Sequence, residues 1–132
     1  MHDLGGRVRA LLELGDGAEW EKAMEFFAAD AVWATVGGLE DHEGSAIRDF
    51  WVAWYEPYED VRIEILDVVD PGGGVVIAVI RQSGRLGSVA KRVSEQIALV
   101  YEWSSGLIAR VTVYVDLGEG RAAAERLATE RG

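Results

Sequence analysis

The sequence contains no cysteine. That absence excludes disulfides, thiol nucleophiles and thiolate-held metals. Positive charge is also scarce: 13 Lys and Arg stand against 23 Asp and Glu, for a net charge of -10. A field of that sign repels phosphate backbones and anionic bilayer surfaces, so neither nucleic acid nor membrane is expected as a partner. No long hydrophobic run is present. The longest uninterrupted one, VVIAVI at 75–80, is far shorter than a membrane span. The first residues, MHDLGGRVRALLELGDG, lack the basic start and apolar run of a signal peptide. A soluble cytoplasmic protein is the expectation. Only two histidines and two prolines occur.

What is present suits one globular domain over 1–132. Hydrophobic residues make up 49% and charged residues 27%, and this length can bury a core. Five tryptophans are a heavy aromatic load for so short a chain. Val8, Leu11 and Leu12 share one face at helical spacing. GDG then breaks that helix, and Asp16 with Glu19 reads as a capping box for a second. Trp20, Met24 and Phe27 continue it at i, i+4, i+7. In FFAADAVWAT, Phe26 and Phe27 end this helix, Asp30 marks the break, and 31–36 reads as a strand. GGLEDHEG at 37–44 is a loop. Ser45 caps a third helix whose apolar face is Ile47, Phe50, Trp51 and Trp54, and Pro57 stops it.

From Val61 the apolar period changes to two. VRIEI, VVIAVIRQSGR, 91–103 and LIARVTVYVD read as four strands, the first two separated by a PGGG turn. A polar, Ala-rich helix over 119–131 closes the order α-α-β-α-β-β-β-β-α. Strands in one block joined by tight turns form an antiparallel meander, and the preceding helices must cover one of its faces: an α+β fold.

This order, with FFAADAVW, EGSAIRDFW and the closing GLIARVTVYVD, resembles the SnoaL-like branch of the nuclear-transport-factor-like superfamily. Ketosteroid isomerases, polyketide cyclases and limonene epoxide hydrolases belong to that superfamily. The resemblance spans nearly the whole chain. It implies a strongly curved antiparallel sheet wrapped around the N-terminal helices into a cone, with an apolar pocket inside and a homodimer formed through the outer sheet face. It implies no cofactor. Family acid-base positions, found by counting from matched motifs, fall on residues without acids. The isomerase base falls on Thr35, its oxyanion donors on Leu11 and Ala98, and the acid of the closing strand on Val113. The Arg and Asp of the hydrolases find only Arg81-Gln82-Ser83.

The third meander strand has two readings. Periodicity sends Val93, Ile97, Leu99, Tyr101 and Trp103 inward with Glu95. The family register sends Ser94, Gln96, Ala98 and Val100 inward, leaving volume for a ligand and a bulky outer patch for a second copy. The expectation follows the family register. It gives Trp33, Thr35, Trp51, Trp54, Tyr58, Gln96, Ala98 and Val113 as the ligand-binding set. Aromatic stripes at helical spacing read equally as plain core.

Candidates for chemistry are few. Gln96 and Thr35 can donate and accept hydrogen bonds but cannot act as a base at neutral pH. Glu95 is a lesser candidate, an acid if inward and a solvated charge if outward. Arg81 reads as an anion anchor or as one half of a strand-end salt bridge. His42 reads as a rim group or a solvated loop histidine, and its neighbours Asp41 and Glu43 point elsewhere, so no metal site is expected. Asp116 reads as a helix-capping acid or a catalytic one. The glycines at 72–74 precede a strand, so they are no phosphate loop. Two functions stay open. One is a small-molecule enzyme of the isomerase, cyclase or epoxide-hydrolase type acting on a small apolar organic molecule. The other is a non-catalytic ligand-binding or dimerisation module of the same fold.

Overall fold

The computed structural model of the protein describes residues 3–37, 41–87 and 91–132. Its elements are α1 (Leu4–Asp16), α2 (Trp20–Met24), β1 (Phe27–Thr35), β2 (His42–Glu43), α3 (Ala46–Tyr55), β3 (Tyr58–Gly72), β4 (Val75–Leu86), β5 (Arg92–Ser104), β6 (Leu107–Tyr114) and α4 (Leu117–Arg131). The strands form one sheet in the order β2-β1-β6-β5-β4-β3. It is strongly curved and unclosed, with helices from both ends of the chain against it. β3 to β6 form the expected antiparallel meander, and β1 adds to β6 in parallel. The long β3 carries three register shifts against β4. Each extra residue bends and twists a strand, which is how so long a hairpin curls around the helices.

The N-terminal part departs from the sequence reading. α2 is a single short helix, and Phe27 opens β1 rather than closing the helix. Phe27 and Ala31, four residues apart, are both buried, as alternation allows, but Ala34 is buried too, and strict alternation would have split it from Ala31. Asp16 caps nothing: it is the last residue of α1, and its carboxylate accepts from the Ile63 backbone N–H at 2.6 Å. Glu19 stands at the N-cap of α2 without a side-chain capping hydrogen bond, and its carboxylate instead accepts from Lys22. Ser45 holds the N-cap position of α3 but makes no capping hydrogen bond. The working caps are Asp3 on the Gly6 N–H and Asp116 on the Glu119 N–H, both at 2.9 Å. The expected loop over 37–44 lies partly outside the described residues. His42 and Glu43, at its end, form β2.

The sheet is buried on both faces along β4. Inward, Val76, Ala78 and Ile80 meet Val8, Leu11 and Leu12 of α1 and Ile47 and Trp51 of α3. Outward, Val75, Ile77 and Val79 meet Ala124 and Ala128 of α4. A continuous apolar run such as VVIAVI is what a strand covered on both sides requires. Arg131 fastens the end of α4 by donating to the carbonyl of Trp103 at 2.5 Å and to that of Gly74.

β5 corrects the register expectation. Ile97, Leu99, Tyr101 and Trp103 face the helices α1 to α3, while Ala98 and Val100 lie under α4. Gln96, on the same outer face as Ala98, is exposed. The small residue at 98 leaves room for a helix, not for a ligand. A Cβ added to Gly120 of α4 would lie 2.8 Å from the Ala98 Cβ. The bulky set is therefore core, and the outer patch that was to hold a second copy does not exist on this strand. β6 also deviates from simple alternation. Its register slips beside Glu102 and Trp103, so Ile108 is buried in the inner core together with Val111 and Val113, while Leu107 is exposed. Among the described residues no helix is long and apolar enough to cross a membrane.

Candidate functional site

The concave side of the sheet and the three N-terminal helices do not fill the space between them. A cavity of about 200 Å³ remains, open to solvent at its mouth. The wall is mostly aliphatic and aromatic. α3 supplies Phe50, Trp51, Trp54 and Tyr55, whose spacing puts them on one helical side. Trp51 is the hub: its ring centroid lies 5.4 to 5.5 Å from those of Trp20, Phe27 and Trp33. Trp20 stacks on Tyr55 at 5.4 Å with nearly parallel planes. Large rigid rings braced against one another cannot collapse into the gap, so the cavity is held open by its own wall.

One polar cluster interrupts this wall. Gln82 is the sole buried polar or charged side chain among the described residues. It sits on β4 in phase with the inward Ile80, and it is satisfied on both sides. The Tyr55 hydroxyl donates to Gln82 Oε1 at 2.5 Å, and Gln82 Nε2 donates to Glu95 Oε1 at 2.6 Å. Gln82 and Glu95 are direct cross-strand partners, so the β4–β5 register sets this contact. The charge on Glu95 fixes the amide orientation, because the opposite flip would set the Gln82 carbonyl against a carboxylate. Burial raises the Tyr55 pKa above its ordinary 10.0, and the Glu95 charge raises it further. Burial likewise raises Tyr101, with Tyr55 a smaller cause. Both phenols stay protonated at neutral pH and act as neutral hydrogen-bonding groups.

Of the sequence candidates, Trp33, Thr35, Trp51, Trp54 and Val113 come together on the cavity wall. Thr35 and Val113 are neighbours across the parallel β1–β6 pair. Leu11 also lines the space. Three of the counted family positions thus fall on the wall, and none carries an acid. The fourth, Ala98, does not: it lies on the far face of β5, as does Gln96. Tyr58 lines a second, outer space rather than the main one.

The remaining candidates have structural occupations. Arg81 lies on the outer face of β4 and donates to Glu64 at 2.8 Å. Asp116 caps α4. His42 pairs opposite Trp33 in the sheet, and its ring stacks on Phe50 at 4.4 Å, so it braces the wall from behind.

Sequence reasoning missed Trp20, Tyr55 and Gln82, and it undervalued Glu95. Signals existed for each. Tyr55 follows Trp51 at i+4, and Gln82 continues the inward alternation of Val76, Ala78 and Ile80. Glu95 belongs to the face that periodicity alone sends inward.

A curved α+β sheet wrapped around helices, with an aromatic cavity inside, defines a cone-shaped pocket fold. Residues 8–111 match the family model for the SnoaL-like domain, and the chain belongs to that family. No curated protein matches the sequence. Among solved structures, the chain resembles a hypothetical protein with a ketosteroid isomerase-like fold from Catenulispora acidiphila, solved in complex with trimethylamine. Identity is 17%, coverage is 89% of this chain and 90% of that one, and the TM-score is 0.73. It also resembles Bal32a from a soil-derived mobile gene cassette, at 22% identity, 81% and 84% coverage and a TM-score of 0.73. A third similar structure is an LEH-like epoxide hydrolase from M. tuberculosis, at 18% identity, 90% and 86% coverage and a TM-score of 0.66. At such identities the likeness carries the fold and not the reaction.

Proposed function

We propose that the protein binds a small, mostly apolar organic molecule in this cavity, with the polar end of the molecule turned toward Tyr55, Gln82 and Glu95. The carrying observation is the contrast within the wall: mostly rigid aromatic and aliphatic surface, with its polar groups gathered in one hydrogen-bonded trio apart from the hydroxyls of Thr35 and Tyr101. Apolar surface supplies affinity, and a few placed polar groups supply orientation. Ligand binding should raise the unfolding temperature of the folded state by mass action. The test is a thermal-shift and tryptophan-fluorescence screen of small cyclic alcohols, ketones and hydrocarbons. Hits should bind the native protein and lose affinity in Thr35→Trp and Val113→Phe, each of which fills part of the cavity. Hits whose affinity ignores both substitutions would place binding elsewhere, and the reading would fail.

A second reading adds catalysis of the isomerase, cyclase or epoxide-hydrolase kind. One observation favours it. Glu95 supplies a carboxylate at the polar end of the cavity, where a general base is needed. Turnover of a bound compound that disappears in Glu95→Gln while binding persists would support it. Binding without turnover across all hits would leave the chain a receptor.

A further inference from the structure

The polar trio does more than end the main cavity. Trp54, Tyr55, Gln82 and Glu95 line both that cavity and a second space, which also touches Tyr58, Ser83 and Ser94. The trio is a divide between a deep apolar chamber and an outer, more polar one. At this divide the charges are one-sided. Among the described residues Glu95 is the sole acidic side chain around either space, and neither lining includes a Lys, Arg or His. The chain as a whole carries -10. Glu95 is exposed to solvent, and an anionic ligand would meet its carboxylate in a negative field, which opposes binding.

Within the trio the hydrogen-bonding capacity is one-sided as well, and the Thr35 and Tyr101 hydroxyls on the main cavity wall lie outside it. The Tyr55 proton is committed to Gln82, and Gln82 spends a proton on Glu95. What the trio leaves to a ligand is chiefly carboxylate acceptor. Lining the same spaces are aromatic rings, Tyr55 with Trp20 stacked on it and Trp54, which is 40% exposed. Electron-rich ring faces next to one carboxylate match a cation whose charge is spread over alkyl groups. A primary ammonium would need several acceptors to replace its water, and Glu95 alone supplies few. An alkylated nitrogen needs fewer, because its methyl groups can face the rings.

We infer that the molecule bound here carries an alkylated cationic nitrogen, a quaternary ammonium or protonated tertiary amine, seated at the divide between Glu95 and the rings of Trp54 and Tyr55. Its apolar remainder occupies the deep chamber. The inference rests on the small-molecule reading above and adds the charge.

The test uses three probes of similar size on the full chain: benzyltrimethylammonium, its uncharged carbon isostere neopentylbenzene, and the anion phenylacetate. Affinities are read by fluorescence titration, with calorimetry for the soluble ions. The cation should bind at least about tenfold more tightly than the isostere, the advantage expected of a partly desolvated cation–aromatic and carboxylate contact. Phenylacetate should not bind. Glu95→Gln and Trp54→Leu should each reduce affinity for the cation by a clearly larger factor than affinity for the isostere; Trp54 lies at the exposed mouth, so its variant serves if Glu95→Gln disturbs folding. An isostere that binds as well as the cation overturns the charge assignment and leaves the small-molecule reading standing. Failure of all three probes also overturns it, and the neutral-compound screen then decides the broader reading by itself.

Discussion

On β5, Ile97, Leu99 and Tyr101 turn toward α1 to α3, and Ala98 and Val100 turn toward α4. The same strand thus builds two interiors of different kinds. On the outer side the residues are small, and a helix comes close enough that Gly120 sits against Ala98. That side is filled. On the inner side the residues are large, yet a cavity of about 200 Å³ remains. Volume in a protein interior is set by how closely the backbones approach, not by the size of the side chains on one strand. Small residues invite a helix in. Braced tryptophans hold helices off.

The comparison can be broken from either side. The largest effect is expected at the bracing hub. Trp51→Ala removes three ring contacts at once and should cost about 3–5 kcal/mol in denaturant unfolding. If α3 relaxes inward instead, the loss will be smaller and ligand binding will vanish, which would show that the rings do hold the space open. On the filled side, Gly120→Val overpacks the α4 contact and should cost about 1–3 kcal/mol while leaving cavity affinity intact. Loss of binding there would show that the two interiors are coupled.

Alkaline pH sharpens the contrast differently, because the raised phenols Tyr55 and Tyr101 both belong to the inner side. Each binds its proton more tightly folded than unfolded. Stability should therefore hold steady up to the ordinary tyrosine value of 10.0 and fall as pH rises beyond it toward the higher folded values. Tyr101→Phe should flatten that decline, read from unfolding midpoints across the range. The smallest effect is expected on the solvated outer edge. Arg81→Ala breaks an exposed pair with Glu64 and should change stability by about 0–1 kcal/mol, with no effect on ligand binding.

Much of this molecule is legible in one dimension. The element order apart from the two-residue β2, the meander and the apolar face of α3 follow from period and spacing, while Thr35 and Val113 as wall positions follow from the family resemblance. The misreadings have particular causes. Asp16 and Glu19 have capping-box spacing, but Asp16 belongs to the helix before and is taken by β3. Phe27 extends a helical stripe on paper, yet a strand starts there, because pairing with Ile108 from the far end of the chain outweighs local preference in a helix of five residues. Ile108 looks outward until a slip in register turns it in. For β5, plain alternation pointed the right way, and the family register sent it wrong by one residue.

What the sequence determined by itself is the fold and the kind of wall: hydrophobic periods of 3.6 and 2 specify helices and strands, and their order permits few packings. The polar trio is different. Tyr55, Gln82 and Glu95 lie on a helix and two strands, 27 and 13 residues apart along the chain. No local pattern links them. Their contact depends on the β4–β5 register and on where α3 settles over the curved sheet, and both are fixed by the summed packing of the whole core. Only the tertiary structure could decide which polar groups meet inside, because hydrogen bonds act over about 3 Å and sequence spacing says little at that range.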